Sequence, residues 1–216
     1  MPSPLFSIIV VHYQGTVSRE TFARGIASLQ SQTFSDFEIL CYHDGPLLDP
    51  DAPQPVPIRA TPRRFNDWGH SLRDIGIREA RGEYIVHFNA DNVLYPSALE
   101  TIAAEIRRPS RIFVQQTGQA VDTDNIVIFP VIMHDTQRFL GNNVRLPPGS
   151  GCYMIMTGNP PAIGTIDCMQ LVMKRQLWLA EGGWRDKREA GDAFMYPQFA
   201  AKYGYRAVGP VLGEHF

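Results

Sequence analysis

Three short runs, Phe6–Val11 (FSIIVV), Phe37–Tyr42 (FEILCY) and Tyr84–Phe88 (YIVHF), are almost wholly apolar and rich in β-branched or aromatic residues. A strand without alternation of apolar and polar residues is covered on both faces, as in a parallel sheet. Between the runs, apolar residues recur at helical spacing. Phe22, Ile26 and Leu29 follow a Ser18 cap, and a helix capped by Asn66 is predicted to reach about Arg81. Trp68, Leu72, Ile75, Ile77 and Ala80 would turn to the core there, with Gly82 at the stop. A third helix would start on Pro96, carry Leu99, Ile102, Ala103 and Ile106 inward, and end before Pro109. The order β-α-β-loop-α-β-α predicts an α/β fold with a largely parallel, doubly wound sheet.

The second half is less regular. Strands are expected at Ile112–Gln116, Ile126–Ile132, Met169–Met173 and Tyr205–Leu212, with a short edge strand near Ile58 in the first half. Helices are expected at Gln176–Glu181, ended by Gly182-Gly183, and from an Asp192 cap through Tyr203. Residues 141–165 are crowded with Gly, Pro and Asn and read as a mobile loop. The 216 residues suit one domain, 1–216, with a change of character near residue 109.

A net charge of −2 supplies no basic stripe for nucleic acid. Cys41, Cys152 and Cys168 are too scattered for a metal knot or a disulfide framework, so a reducing cytoplasm is the default setting. The apolar run Leu5–Val11 is too short to span a bilayer, and Met1-Pro-Ser-Pro lacks the positive leader of a signal peptide.

Ligands of open α/β sheets sit outside the carboxyl ends of the strands. Those ends carry Tyr13 after His12, Asp44 before Gly45-Pro46, and the turn Asn89-Ala90-Asp91, with Arg73 on the helix before the third long strand. One or two carboxylates, an arginine and strand-end amides suit an anionic ligand held through a hard divalent cation, and a nucleoside diphosphate is the obvious class. Taken singly, each residue has a duller role in a turn or on a solvated helix. Gly-x-Gly-x-x-Gly, Gly-x-x-x-x-Gly-Lys-[Ser/Thr] and Gly-x-Ser-x-Gly do not occur in the expected places.

The ordered set Phe6–Tyr13, Ser28-Leu-Gln-Ser-Gln-Thr-Phe34, Phe37–Gly45 and Ala80–Asp91 resembles the family 2 glycosyltransferases of GT-A fold. The resemblance is close over residues 6 to about 106 and looser from Met173 to Tyr205. It implies a Rossmann-like, mostly parallel central sheet with helices on both faces and a smaller, mixed acceptor-side region. Residues 1–108 would form the nucleotide-sugar half and 109–216 the acceptor half. It further implies inverting transfer from a nucleotide-activated sugar, a UDP-sugar before others, to a glycan, lipid-linked or protein acceptor, with Mn²⁺ or Mg²⁺.

By the same resemblance His12, Tyr13, Asp44, Arg73, Asn89 and Asp91 belong to the nucleotide-sugar site. Asp91 and His215 match the metal ligands, and Asp192 matches the catalytic base, with Glu189 as its fallback. Trp184 would offer an aromatic face to a sugar while Trp178 packs in the core. Two departures stand out: the metal turn carries Asn89 and Asn92 where acids are usual, and Glu189-Ala-Gly-Asp192 replaces an adjacent acidic pair. They leave open a non-catalytic nucleotide-sugar or glycan-binding module. A sugar-phosphate nucleotidyltransferase fits less well, because His12-Tyr-Gln-Gly-Thr lacks a Gly-rich, Arg-containing loop.

Overall fold

Every residue of β1 (Phe6–His12) is buried, as its uninterrupted apolar run requires. The computed structural model describes residues 3–108, 111–114, 119–122, 124–139 and 142–216. After β1 come α1 (Arg19–Gln30), β2 (Phe37–His43), β3 (Ile58–Ala60), α2 (His70–Glu79), β4 (Tyr84–Asn89), β5 (Val93–Leu94) and α3 (Ala98–Arg107). The second half continues with β6 (Arg111–Val114), β7 (Gln119–Asp122), β8 (Ile126–Ile128), β9 (Val131–His134), β10 (Thr136–Phe139), β11 (Asn142–Arg145) and β12 (Tyr153–Met156). A single 3-10 turn (Cys168–Gln170) leads into β13 (Leu171–Lys174), α4 (Arg175–Ala180), α5 (Gly191–Tyr203), β14 (Arg206–Ala207) and β15 (Gly213–His215).

Among the described residues the central sheet has seven strands in the order β14-β8-β13-β4-β1-β2-β3. The pairs β1–β2, β1–β4, β2–β3 and β8–β14 are parallel, whereas β13 runs antiparallel to both of its neighbours. Period-two alternation along β1 divides the core between two faces. Phe6, Ile8 and Val10 pack with Phe22, Ile26 and Leu29 of α1 and with Leu99 and Ile102 of α3. Ile9 and Val11 pack with Leu72 and Ile77 of α2, Trp178 of α4, and Met195 and Phe199 of α5. Helices therefore cover both faces, as expected. A second sheet, β12-β9-β15-β5, stands at the carboxyl end of β4.

The first-half strands, the Ser18 cap and the edge strand at Ile58 fall where the sequence puts them. Asn66 is not a helix cap: it has a left-handed φ of 55°, and α2 starts four residues later behind Gly69. Asp67 instead accepts the Ser71 N–H and hydroxyl. Trp68 leaves the core altogether and is 65% exposed. Pro96 precedes α3 rather than opening it, because Val93–Leu94 pairs with β15 and Ser97 is the N-cap.

The predicted strand Ile126–Ile132 breaks into β8 and β9, in different sheets, around Pro130, whose missing N–H cannot join a ladder. Of the predicted strand Tyr205–Leu212 only Arg206–Ala207 (β14) is strand, and β15 starts beyond it at Gly213, after Pro210. Within 141–165 the structure forms β11 and β12. Cys168–Gln170 delays the strand expected at Met169, and α4 begins one residue before the predicted Gln176. Pro109, Gln115, Gln116 and Gly141, to which other expectations attach, lie outside the described residues.

Candidate active site

Strand β1 is flanked on one side by β2 and on the other by β4, so the chain reverses its direction of travel across the sheet at β1. In register, His12 lies beside His43 and Val11 beside Asn89. The strand-end residues therefore share one rim. A cleft of about 530 Å³ opens there, bordered by His12, Tyr13, Asp44, Asn89 and Asp91. Gly25 lets α1 come close underneath, since a Cβ on it would lie 2.4 Å from the Ala90 carbonyl oxygen.

One wall is tightly hydrogen-bonded. Asp44 is 6% exposed, and its two oxygens accept the N–H groups of Phe65 (2.7 Å) and Asn66 (3.1 Å), with the Arg64 guanidinium 3.5 Å away. Arg64 also lies 3.6 Å over the Tyr13 ring. His12 stacks on Phe22 at 4.1 Å; burial, and then the neighbouring His43, lower its imidazole to about 4, so it is neutral. Gln14 donates its N–H to His43 Nε2, which leaves the proton on Nδ1, facing the Gly45 carbonyl.

Arg73 is 2% exposed and ties this wall to the next. It donates to the Trp68 carbonyl (2.8 Å), to the Asn89 side-chain oxygen and to Cys168 Sγ (3.4 Å). The neutral Asn89 thus serves as the acceptor for a buried arginine.

Beyond Arg73 stands a group of acids drawn from distant parts of the chain. Asp91 follows β4, Asp167 caps the 3-10 turn through Met169 N–H (3.1 Å), and Asp192 sits in the first turn of α5. Ligand atoms of Asp167, Cys168 and Asp192 lie within 4.8 Å of one another. His215 Nδ1, at the end of β15, lies 3.5 Å from Asp167 Oδ1. Asp91 Oδ1 and His215 Nδ1 are shut off from solvent without a hydrogen-bond partner.

Burial opposes charge on all of these groups, and their neighbours decide the balance. Burial raises Asp91. Burial, and next the charge of Asp167, push Asp192 up to about 6. Asp167 overcomes its own burial through His215, which holds it down to about 2. His215 is raised despite its burial, by Asp167 and then Asp91. The Cys168 thiol stays well above its ordinary value through burial, which makes it a poor ligand. Carboxylate oxygens suit a hard divalent cation, and those of Asp167 and Asp192 are close enough to share one, with Asp91, whose Oδ1 has no partner, and His215 as further donors beside them.

The expected residues His12, Tyr13, Asp44, Asn89 and Asp91 border one cleft, and Arg73 backs it. Asp192 is not the helix cap, which falls at Ala190; its Oδ1 accepts its neighbour's N–H, from Ala193 at 2.8 Å. Glu189 is exposed. Trp184 offers no open face: it is 1% exposed, with His70 stacked at 5.0 Å and Trp178 at 5.6 Å. Asp167 and Arg64 join the site without any sequence expectation attached to them, and Trp68 lines the cleft instead of facing the core. The capping-box pair Asp167 and Gln170 was a legible signal for a fixed carboxylate.

Comparison with known proteins agrees with this fold. S. aureus TarS 1-349 in complex with UDP superposes with a TM-score of 0.67 at 14% identity, over 100% of this chain and 60% of that one. The same protein in complex with UDP-GlcNAc gives 0.66 at 14% identity, over 100% and 58%. The mannosyltransferase PcManGT from Pyrobaculum calidifontis, in complex with GDP-Man and Mn²⁺, gives 0.61 at 13% identity, over 99% and 57%. The chain thus spans about 60% of the length of these structures. No curated protein matches it in sequence. The model of Glycosyl transferase family 2 matches residues 7–159, and the chain belongs to that family, with the GT-A fold.

Proposed function

We propose that the chain is an inverting, metal-assisted glycosyltransferase that moves a sugar from a nucleoside diphosphate sugar, a UDP-sugar first, to an acceptor hydroxyl. The acceptor is a glycan, a lipid-linked carrier or a protein. Residues 1–108 bind the donor and residues 109–216 face the acceptor, within one GT-A domain. What supports the reading is the convergence at one rim of two kinds of group: the Tyr13, Asp44 and Asn89 wall, and the Asp91, Asp167, Asp192 and His215 corner.

In this reading His12, Tyr13 and Asp44 hold the nucleotide end, and Arg73 fixes Asn89 so that its amide faces the donor. Asp91, Asp167 and His215 hold Mn²⁺ or Mg²⁺, which when bound neutralises charge on the leaving diphosphate. Asp192 accepts the proton of the attacking hydroxyl, as a carboxylate within hydrogen-bond reach of it must. The three cysteines are free thiols, consistent with the reducing cytoplasm in which we place the protein. No helix among the described residues is long and apolar enough to cross a membrane.

The test is a panel of UDP- and GDP-sugars with Mn²⁺, reading nucleoside diphosphate release and the anomeric configuration of the product. Release from at least one donor, with inversion, is expected. Binding without turnover for every donor and acceptor would leave the binding-module reading instead, and no binding at all would sink both.

A further inference from the structure

Trp68 combines three features that its sequence neighbourhood does not lead one to expect. It lines the cleft. Its surface is 65% exposed, whereas Trp178 and Trp184 are 0% and 1% exposed. Its φ is +61°, a left-handed backbone that a bulky side chain adopts only under constraint. Strain of this kind persists where the surroundings over-determine it, and it gathers at ligand sites.

The constraint is visible on both sides of the residue. Asp44 fixes the preceding segment through the Phe65 and Asn66 N–H groups. Buried Arg73 holds the Trp68 carbonyl at 2.8 Å, and Gly69 follows with φ +79°, at a position where a Cβ would also press on Arg73 and Val11 at 3.0 Å. The same Arg73 bonds Asn89. Trp68 is thus held between the acid of the nucleotide wall and the turn that begins at Asn89.

The cleft's other aromatic surfaces are already covered. Tyr13 lies under Arg64 and His12 lies on Phe22. Among the described residues no ring or cation stacks on Trp68. An indole held out of the core, over a cleft, by its own backbone is a platform for a flat ring or for the C–H face of a sugar.

We propose that Trp68 is a ligand-contacting residue that stacks on a ring of the bound nucleotide-sugar, and that the segment 64–69 is shaped to present it. The proposal rests on the glycosyltransferase reading for the identity of the ligand. It replaces Trp184, whose ring is buried, as the aromatic face of the site.

The chain's three tryptophans make the experiment direct, because only Trp68 is accessible to iodide. Wild type is titrated with UDP, UDP-GlcNAc, GDP and GDP-mannose in the presence of Mn²⁺, with binding followed by calorimetry and iodide quenching of tryptophan emission measured in parallel. Protection of the red-shifted emission by UDP or GDP alone assigns Trp68 to the base. Protection only by the sugar-bearing forms assigns it to the sugar. Both outcomes support the platform.

Trp68→Asn keeps a residue that tolerates left-handed φ, so its melting temperature should equal or exceed that of wild type. Its affinity for the ligand should fall roughly 5- to 150-fold, with recovery in Trp68→Tyr. A ligand that binds wild type without protecting Trp68, and binds Trp68→Asn equally well, overturns this inference and leaves the proposed function standing. Failure of wild type to bind any of the four removes both.

Discussion

The two walls of the cleft are built on opposite terms. On the nucleotide wall the acid and the amide are already engaged with the protein, Asp44 with two backbone N–H groups and Asn89 with Arg73, as is His43 with Gln14, while His12 Nδ1 is left without a partner. In the acidic corner the groups are buried and only partly engaged: Asp167 accepts the Met169 N–H and faces His215 at 3.5 Å, whereas Asp91 Oδ1 has no hydrogen-bond partner and Asp192 is bonded only to its own helix. A recognition surface gains from rigid, satisfied groups, because nothing need be reorganised when the ligand arrives. The corner that we propose takes up a cation and a proton must keep lone pairs available for them, at a cost in desolvation. The difference separates holding from reacting.

The sharpest way to break that comparison is Asp192→Asn. It should lower kcat by roughly 10²–10⁴-fold while nucleotide-sugar binding measured by calorimetry is retained. An unchanged kcat would move the base to exposed Glu189 or deny turnover a base in this corner.

The next effect concerns stability. Phe88, fully buried in β4, should cost about 3–5 kcal/mol when truncated to Ala, whereas Phe139, 60% exposed on β10, should cost less than about 0.5 kcal/mol. Urea unfolding measures both, and similar costs would mean that the second half packs more firmly than its exposure suggests.

Asp91→Asn should weaken Mn²⁺ binding at least roughly tenfold, read by calorimetry with the metal alone. Equal affinity would show that Asp167 and His215 suffice.

The smallest effect lies away from the cleft. Hydrogen bonds from Lys202 and then Tyr203 hold Glu181 down to about 2, from an ordinary value of 4.5. A depressed carboxylate stabilises the fold above its unfolded pKa, and that contribution is lost as pH falls from about 4.5 through about 2. Its partners Arg185 and Lys202 are 45% and 63% exposed, so Glu181→Gln should cost only about 1–2 kcal/mol at pH 7 and nothing near pH 2. Unfolding curves at the two pH values compare the variants.

The same division governs what could be read from the chain. The first half announces itself, because a parallel strand buried on both faces has no choice but to be apolar throughout, and its turns fall at strand ends. Tyr13, Asp44, Asn89 and Asp91 are therefore legible in the sequence as one rim. The errors there are local. A left-handed backbone at Asn66 and Trp68 turns an apparent helix start into a loop, and helical spacing cannot reveal the sign of φ.

In the second half strands are two to four residues long, too short to establish a period. Pro130 and Pro210 break what looked continuous. Asp167 joins His215 and Asp192 only through sheet pairing and a capped turn, which adjacent residues do not encode.

The pairing of Val93 with Glu214 has a consequence for folding order. It joins the strand just after the Asp91 turn to nearly the other end of the chain, and contacts of such separation pay their loop-closure entropy late. The strands β1, β2 and β4 need only residues up to Asn89 to pair with one another. A partly folded chain can therefore possess its strand-end rim while His215 is still unplaced, so the corner proposed to hold a cation assembles late and depends on β15 having found its seat between β9 and β5.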